Sequence, residues 1–274
     1  METNNNLKGD LRDIILKSVS HKTATAIITA DGNGIISGVG SAVEEAEKLG
    51  LKVVDSIKEA TLVEKGMPVM KLKGVPKQAA MAEDVLMGAM AKPSGIATEV
   101  KRFIEKAGNR PEIVCGAWKK MPYAMKDDIR QAVISGGAFP RITPDPLIYL
   151  DKNYTRFFGG IKETLDAVSH LNGHVRVIQV KGLFNDIASE AIEAAQTGAS
   201  IIFIDSGKEE DITKVSEVLK SKDLRTNVKI AYGGGIRYWD IDRLKNMDVD
   251  ILDIGTAILN ADLLDMKFDV IKVE

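Results

Sequence analysis

The sequence predicts an α/β chain in two parts, a small α+β N-terminal domain followed by an open parallel α/β barrel of about six strands. Three observations carry that expectation. From Pro111 onward, short β-branched apolar runs alternate with amphipathic stretches, the pattern of repeated βα units. Two late apolar runs lead directly into glycine, at Gly233-Gly234-Gly235 and at Gly255. The first part instead reads as short strands and turns followed by a long helical stretch.

In chain order, residues 23–30, 35–38, 52–57 and 68–74 have the composition of short strands, with Asp31-Gly32-Asn33-Gly34 as a hairpin turn between the first two. Residues 77–91 follow as a helix that Pro93 interrupts, and Ser94-Gly95 leads into a second helix over 99–107. The boundary falls near Arg110, dividing the chain into domains 1–110 and 111–274. Barrel strands are expected at 112–115, 146–150, 175–180, 200–205, 228–232 and 250–254. Between them, Ile187, Ala191, Ile192 and Ala195, and likewise Ile212, Val215, Val218 and Leu219, keep the three-and-four spacing of a buried helix face.

Composition narrows the partners. A chain of 274 residues with 45% apolar content can bury the core of a barrel beside a small domain. Lysine plus arginine number 37 against 39 acidic residues, interspersed to a net charge of −2, so no block points to nucleic acid or a membrane surface. Residues 1–10 are polar and Asn-rich, and no run approaches the roughly 18 apolar residues of a membrane span. With Cys115 as the single cysteine there is no internal disulfide framework and no thiolate metal cage, and the expected location is cytoplasmic.

The candidate site residues lie where barrel strands end. Gly233, Gly234 and Gly235 follow one strand, and Gly255 with Thr256 follows the next. Glycine lets backbone N–H groups approach an anion, and a helix N-terminus adds a favourable dipole, so the pair of loops reads as a phosphate site; tight turns alone would also explain the glycines. Asp205 ends a hydrophobic strand, where it could ligate Mg²⁺, stabilise a developing cation or cap the next helix. Trp118, Lys119 and Lys120 follow the first barrel strand. His21, His170 and His174 lack metal-ligand spacing, and Cys115, inside a strand, reads as core.

These pieces, in this order, resemble the quinolinate phosphoribosyltransferase family. The resemblance rests on Ser94-Gly95-Ile96-Ala97-Thr98, Gly136-Gly137 before Arg141, and Asn153 followed by Gly159-Gly160-Ile161. It continues through Ile204-Asp205, Gly234-Gly235-Ile236 and the Gly255 strand, and so covers nearly the whole chain. It implies a mixed α/β first domain and an open barrel. It also implies a homodimer in which the first domain of one subunit covers the partner's barrel mouth, here with residues 83–92. The reaction implied is transfer of phosphoribose from phosphoribosyl pyrophosphate to quinolinate with Mg²⁺, releasing CO₂ and pyrophosphate.

The chain departs from the family's pattern at its charged positions. The family's Thr-Arg-Lys-Thr reads Ala117-Trp118-Lys119-Lys120, its His-Arg reads Pro140-Arg141, and its Lys-Asp-Asn-His reads Asp151-Lys152-Asn153-Tyr154. Its Glu-Val-Glu reads Gln179-Val180-Lys181, and its Glu-Arg reads Glu83-Asp84. Each lost Arg–carboxylate pair removes about 1.5–3 kcal/mol from recognition of a dicarboxylate.

The resemblance therefore implies that the phosphate end is retained and the ring pocket rebuilt for a less acidic aromatic acceptor. In that scheme Lys119, Arg141, Lys152 and Asp205 are catalytic, with Mg²⁺ on Asp205. Trp118, Lys120, Tyr154, Gln179 and Lys181 bind substrate, and Gly233, Gly234, Gly235, Gly255 and Thr256 hold phosphate. The alternatives are a non-catalytic nucleotide- or sugar-phosphate-binding protein on the same scaffold, or a sugar-phosphate lyase or isomerase.

Overall fold

The computed structural model describes residues 9–274, so the polar start of the chain, residues 1–8, lies outside the described residues. The first stretch contains α1 (Leu11–Ile15), β1 (Ala24–Ala30), β2 (Gly34–Ile35), α2 (Val39–Lys48), β3 (Lys52–Ser56), β4 (Leu62–Val63) and β5 (Pro68–Gly74). Helix α3 (Pro76–Ala107) leads to β6 (Glu112–Val114), α4 (Lys126–Ser135), β7 (Leu147–Leu150), α5 (Lys152–Phe158) and α6 (Ile161–Ala167). Next come β8 (Val175–Val180), α7 (Ile187–Gln196), β9 (Ile201–Ile204), α8 (Glu210–Ser221) and β10 (Lys229–Gly233). The chain ends through α9 (Ile241–Leu244), β11 (Ile251–Asp253), α10 (Thr256–Leu259) and β12 (Met266–Val273).

Two compact units result. One runs to Thr98 and takes back Asp262–Glu274, and the other is Glu99–Ala261. The structure thus moves the expected boundary from Arg110 into α3 and returns the end of the chain to the first unit. The physical reason is β12, which pairs along the whole of β1 from Ala24–Val273 to Ala30–Met266 and so cannot belong to the barrel sheet.

The second unit confirms the barrel. Its six parallel strands are ordered β6-β11-β10-β9-β8-β7, so the first strand lies beside the last and the sheet curls round on itself. The seam between β6 and β7 stays open, and β6 is met there by an isolated parallel bridge from Val114 to Phe139, in the segment before β7. Strand period two divides the side chains between the faces. Val114, Val177, Ile201, Phe203, Ala231 and Ile251 form one buried cluster, while Ile178, Ile202, Ile230 and Leu252, of the opposite parity, are fully buried on the other face.

The first unit carries a four-stranded sheet in the order β12-β1-β5-β3 and a separate pair, β2 with β4. The expected β1–β2 hairpin does not form. Both edges of β1 are occupied, by β12 and β5, and the N–H of Ile35 instead donates to Thr98 Oγ1 at 2.9 Å. Nor does Pro93 break the helix, since α3 runs unbroken from Pro76 to Ala107.

The Ser94-Gly95-Ile96-Ala97-Thr98 segment explains why. Buried Ser94 Oγ accepts from Ser37 N at 2.9 Å and donates to Ser37 O at 3.1 Å, while Thr98 Oγ1 donates to Ser94 O at 2.7 Å. Pro93 has no N–H for the carbonyl of Ala89. At that carbonyl Gly38, with φ of +87°, passes so close that a Cβ would lie 2.2 Å from the oxygen. Ile28, Ile36, Met70, Leu72, Leu86 and Met90 close the core of this unit.

Candidate active site

Inward-facing residues at the carboxyl ends of the barrel strands share one layer. Register places Gln179 opposite Phe203, Phe203 opposite Ala231 and Gly233 opposite Asp253. Asp205 lies two residues beyond Phe203 and keeps its face. Gln179, Phe203, Asp205, Gly233 and Asp253, together with Tyr149, Lys119, Lys120, Gly234, Gly235, Gly255 and Thr256, line a cavity of about 250 Å³ at the end of the barrel where α/β-barrel active sites are built.

Hydrogen bonds order the floor of this cavity. Asp205 Oδ2 accepts from Gln179 Nε2 at 2.5 Å and from Lys181 Nζ at 3.1 Å. Gln179 is buried, and its Oε1 accepts from Lys152 N at 2.9 Å, which turns its NH₂ towards Asp205. An amide is needed here because one side of it must accept and the other donate; an ionised glutamate could do only the first and would repel Asp205. Behind Lys181, the carboxylate of buried Glu190 accepts from the N–H groups of Lys181, Gly182, Leu183 and Phe184, clamping the loop that carries the lysine.

Asp253 Oδ1 accepts from Gly116 N at 2.9 Å. Burial holds its pKa above the ordinary carboxylate value; the Gly116 hydrogen bond and the Lys119 charge oppose that shift, and the Asp205 charge adds to it. Burial likewise keeps the Tyr149 hydroxyl protonated, reinforced by the charges of Asp253, Asp205 and Asp151. Tyr149 and Phe203 stand in contact, ring centres 6.1 Å apart, as an aromatic wall.

The glycines have distinct reasons. A Cβ on Gly233 would lie 2.8 Å from the Phe203 ring, and one on Gly255 would lie 3.0 Å from the Ala117 Cβ, so both are needed for close packing. Gly234 and Gly235 adopt φ of +120° and +81°, values that side chains disfavour. The helix after Gly255, α10, is a single turn, so the helix-dipole contribution expected from the sequence is small.

Several expected site residues do not reach the cavity. Trp118 donates from Nε1 to Pro140 O at 2.6 Å and carries the Arg130 guanidinium 4.5 Å from its ring, so it is a packing residue of its turn. Arg141 is exposed and lines a separate cleft with Pro140, Thr143 and Pro144. Lys152 opens α5, with its side chain exposed and its N–H given to Gln179. Tyr154, half exposed, packs edge-on against Phe157. Asp151, which stands where the family has lysine, caps α5 through Asn153 N and Tyr154 N.

Asp253, Tyr149 and Phe203 line the cavity although no motif in the sequence marks them. Strand alternation was the available signal, since Asp253 is two residues beyond inward-facing Ile251. Cys115 is buried, and burial pushes its thiol up to about 12, which accords with a core role.

An open parallel α/β barrel with a polar cavity at its carboxyl edge, joined to a small α+β unit, defines the class: α/β-barrel enzymes with lysines and glycine loops at the mouth. The pattern of the quinolinate phosphoribosyl transferase C-terminal domain matches residues 96–269, and that of the N-terminal domain matches residues 10–94. The chain belongs to the quinolinate phosphoribosyltransferase family, a family of pentosyltransferases.

A probable nicotinate-nucleotide pyrophosphorylase (carboxylating) of Archaeoglobus fulgidus is 26% identical over 259 residues, covering 93% of this chain and 97% of the relative. One from Methanothermobacter thermautotrophicus is 26% identical over 247 residues, covering 89% and 88%. The solved nicotinate-nucleotide pyrophosphorylase of Francisella tularensis shares the fold with a TM-score of 0.78 at 19% identity, over 98% of this chain and 92% of that one. NadC from Streptococcus pyogenes does so at 0.77 and 18%, over 99% of both chains.

Proposed function

We propose that this chain transfers phosphoribose from phosphoribosyl pyrophosphate to an aromatic acceptor less acidic than quinolinate. The observation that carries the reading is the lining of the cavity: among the described residues its cations are Lys119 and Lys120, with no arginine, and its inner wall is Tyr149 and Phe203. Two bidentate carboxylate sites need guanidinium forks, and neither Trp118 nor Arg141 offers one here. A flat, weakly acidic ring stacked on the aromatic wall fits better.

In this reading the lysines meet the pyrophosphate oxygens, and the loops at Gly233, Gly234, Gly235 and Gly255 border the 5-phosphate. The bond from ribose C1 to pyrophosphate breaks with its electron pair leaving on oxygen, while the lone pair of the acceptor's ring nitrogen forms the new C1–N bond. Asp205 and Asp253 lie on the same floor, where carboxylate charge favours a ribosyl cation.

Mg²⁺ on Asp205 was the expectation, and the residues do not fit it as a resident ligand set. Among the described residues no group of three or more His, Cys, Asp or Glu could hold a metal, and Asp205 Oδ2 already carries an ammonium and an amide. A metal entering with the donor would ride on pyrophosphate oxygens.

The homodimer, with residues 83–92 of one subunit at the partner's barrel mouth, is part of the proposal, as is a cytoplasmic location. No helix among the described residues is long and apolar enough to cross a membrane. The test is a turnover and thermal-shift screen with phosphoribosyl pyrophosphate against quinolinate, nicotinate and uncharged nitrogen heterocycles. Stabilisation by the donor and turnover with a monoacid or neutral ring are expected. Absence of any stabilisation by the donor would remove the reading. Stabilisation without turnover on any acceptor would favour the second reading, a non-catalytic binder of phosphorylated ligands, which the Lys181–Asp205 ion pair supports by neutralising one of the two floor carboxylates.

A further inference from the structure

We infer that the Lys181 ammonium is the built-in counter-cation of Asp205, so that this cavity takes a pyrophosphate-bearing ligand without a divalent metal held by the protein. The inference rests on the proposed function for the identity of the ligand, and on geometry for the cation.

The side-chain contacts on Asp205 hold a lysine in place there. Lys181 Nζ and Gln179 Nε2 converge on the same oxygen, Oδ2, at 3.1 and 2.5 Å. Gln179 cannot rotate away without releasing the Lys152 N–H. Lys181 cannot be swung out by its loop, because Glu190 takes the N–H groups of Lys181 and the three residues after it. The pair is partly shielded, with the lysine side chain 25% exposed and the aspartate 34%. A divalent ion on Asp205 would sit within a few ångströms of that ammonium, and like charges so close disfavour joint occupancy.

The substitution pattern has the same logic. The two positions that are glutamate in the family's pattern are here an amide donor and a cation, both aimed at Asp205. Three carboxylates facing one another call for a bound cation or a proton; one carboxylate facing a donor and an ammonium calls for neither. The ligand's own charge is then met by Lys119 and Lys120.

The experiment is Mn²⁺ titration followed by electron paramagnetic resonance, on the wild type, Lys181→Glu, Lys181→Gln and each of these with Asp205→Asn, with circular dichroism to establish folding. The wild type should show no Mn²⁺ site that Asp205→Asn removes. Lys181→Glu should gain one, tighter by about tenfold or more than anything in the wild type and dependent on Asp205. In parallel, calorimetry with phosphoribosyl pyrophosphate, in EDTA and in Mg²⁺, should show that the wild type binds the donor.

An Asp205-dependent Mn²⁺ site in the wild type overturns the inference. So does a folded Lys181→Glu that gains no site. Should Lys181→Glu fail to fold, the wild-type titration and Lys181→Gln decide the question. A wild type that ignores the donor in both media refutes the proposed function, while the Mn²⁺ result still judges the cation.

Discussion

The carboxylate of Asp253 is joined to the backbone N–H of Gly116 at 2.9 Å, tying the ends of the first and last barrel strands beneath the cavity. The bond keeps Asp253 in place, while burial raises its pKa. A raised folded-state value means that the native protein binds the proton more tightly than the unfolded chain. The group's contribution to stability is therefore fully present below the ordinary value of 3.8 and is lost as pH rises through the raised one.

Asp253→Asn keeps an acceptor for Gly116 and removes the charge. It should unfold at a higher temperature than the wild type near neutral pH, and the difference should shrink as pH falls towards 3.8. Circular dichroism melts across that range check it; equal melting at every pH would contradict the assignment.

The two exposed lysines of the 117–120 turn are expected to act on the ligand, not on the fold. Lys119→Met and Lys120→Met should each weaken pyrophosphate binding by about tenfold, the loss of one charge-assisted hydrogen bond, with the melting temperature unchanged. Calorimetry with inorganic pyrophosphate measures it. Full affinity in the double variant would place the phosphate elsewhere.

Ser94→Ala removes both bonds to the Ser37 backbone inside a fully buried contact. The expected cost is about 2 kcal/mol, because the peptide groups of Ser37 lose a partner without gaining water. Urea unfolding should show a lower midpoint at an unchanged slope.

At the amino ends of the strands, Arg225 bonds Asp248 at 2.7 Å and Asp250 at 2.8 Å. Burial alone would raise the pKa of Asp248, but hydrogen bonds from Arg225, Lys220 and Ser216 hold it well below the carboxylate range. Its stabilisation is present above 3.8 and lost as pH falls through the depressed value. Arg225→Met should cost about 2 kcal/mol at neutral pH, discounted for the part-exposed aspartate, and less in acid. Denaturant midpoints at neutral and acid pH test the sign.

Much of the barrel was legible in the sequence because strand and helix periodicities are local. All six strands fall where the apolar runs were, each within a residue or two of its expected ends. Long-range partners were not legible. The alternating run Met266–Val273 carries no local sign of its partner, since its pairing with β1 joins segments more than two hundred residues apart. The Asp31-Gly32-Asn33-Gly34 turn has hairpin chemistry, yet β2 pairs with β4 because β1 has no free edge.

The sequence by itself determined that a glycine-ended parallel barrel would follow a small α+β domain, and it put Gln179 and Lys181 where the resemblance implies an acidic pair. Residue type is a covalent fact, and the alternation that makes strands needs no distant partner. Only the tertiary structure decided where those two side chains go. Closure of the sheet sets Gln179 and Lys181 on Asp205, brings Asp253 under the same cavity, and leaves Arg141, Lys152 and Tyr154 outside it. The direction in which a side chain at a strand end points depends on register and on neighbouring strands, and neither is written in its local sequence.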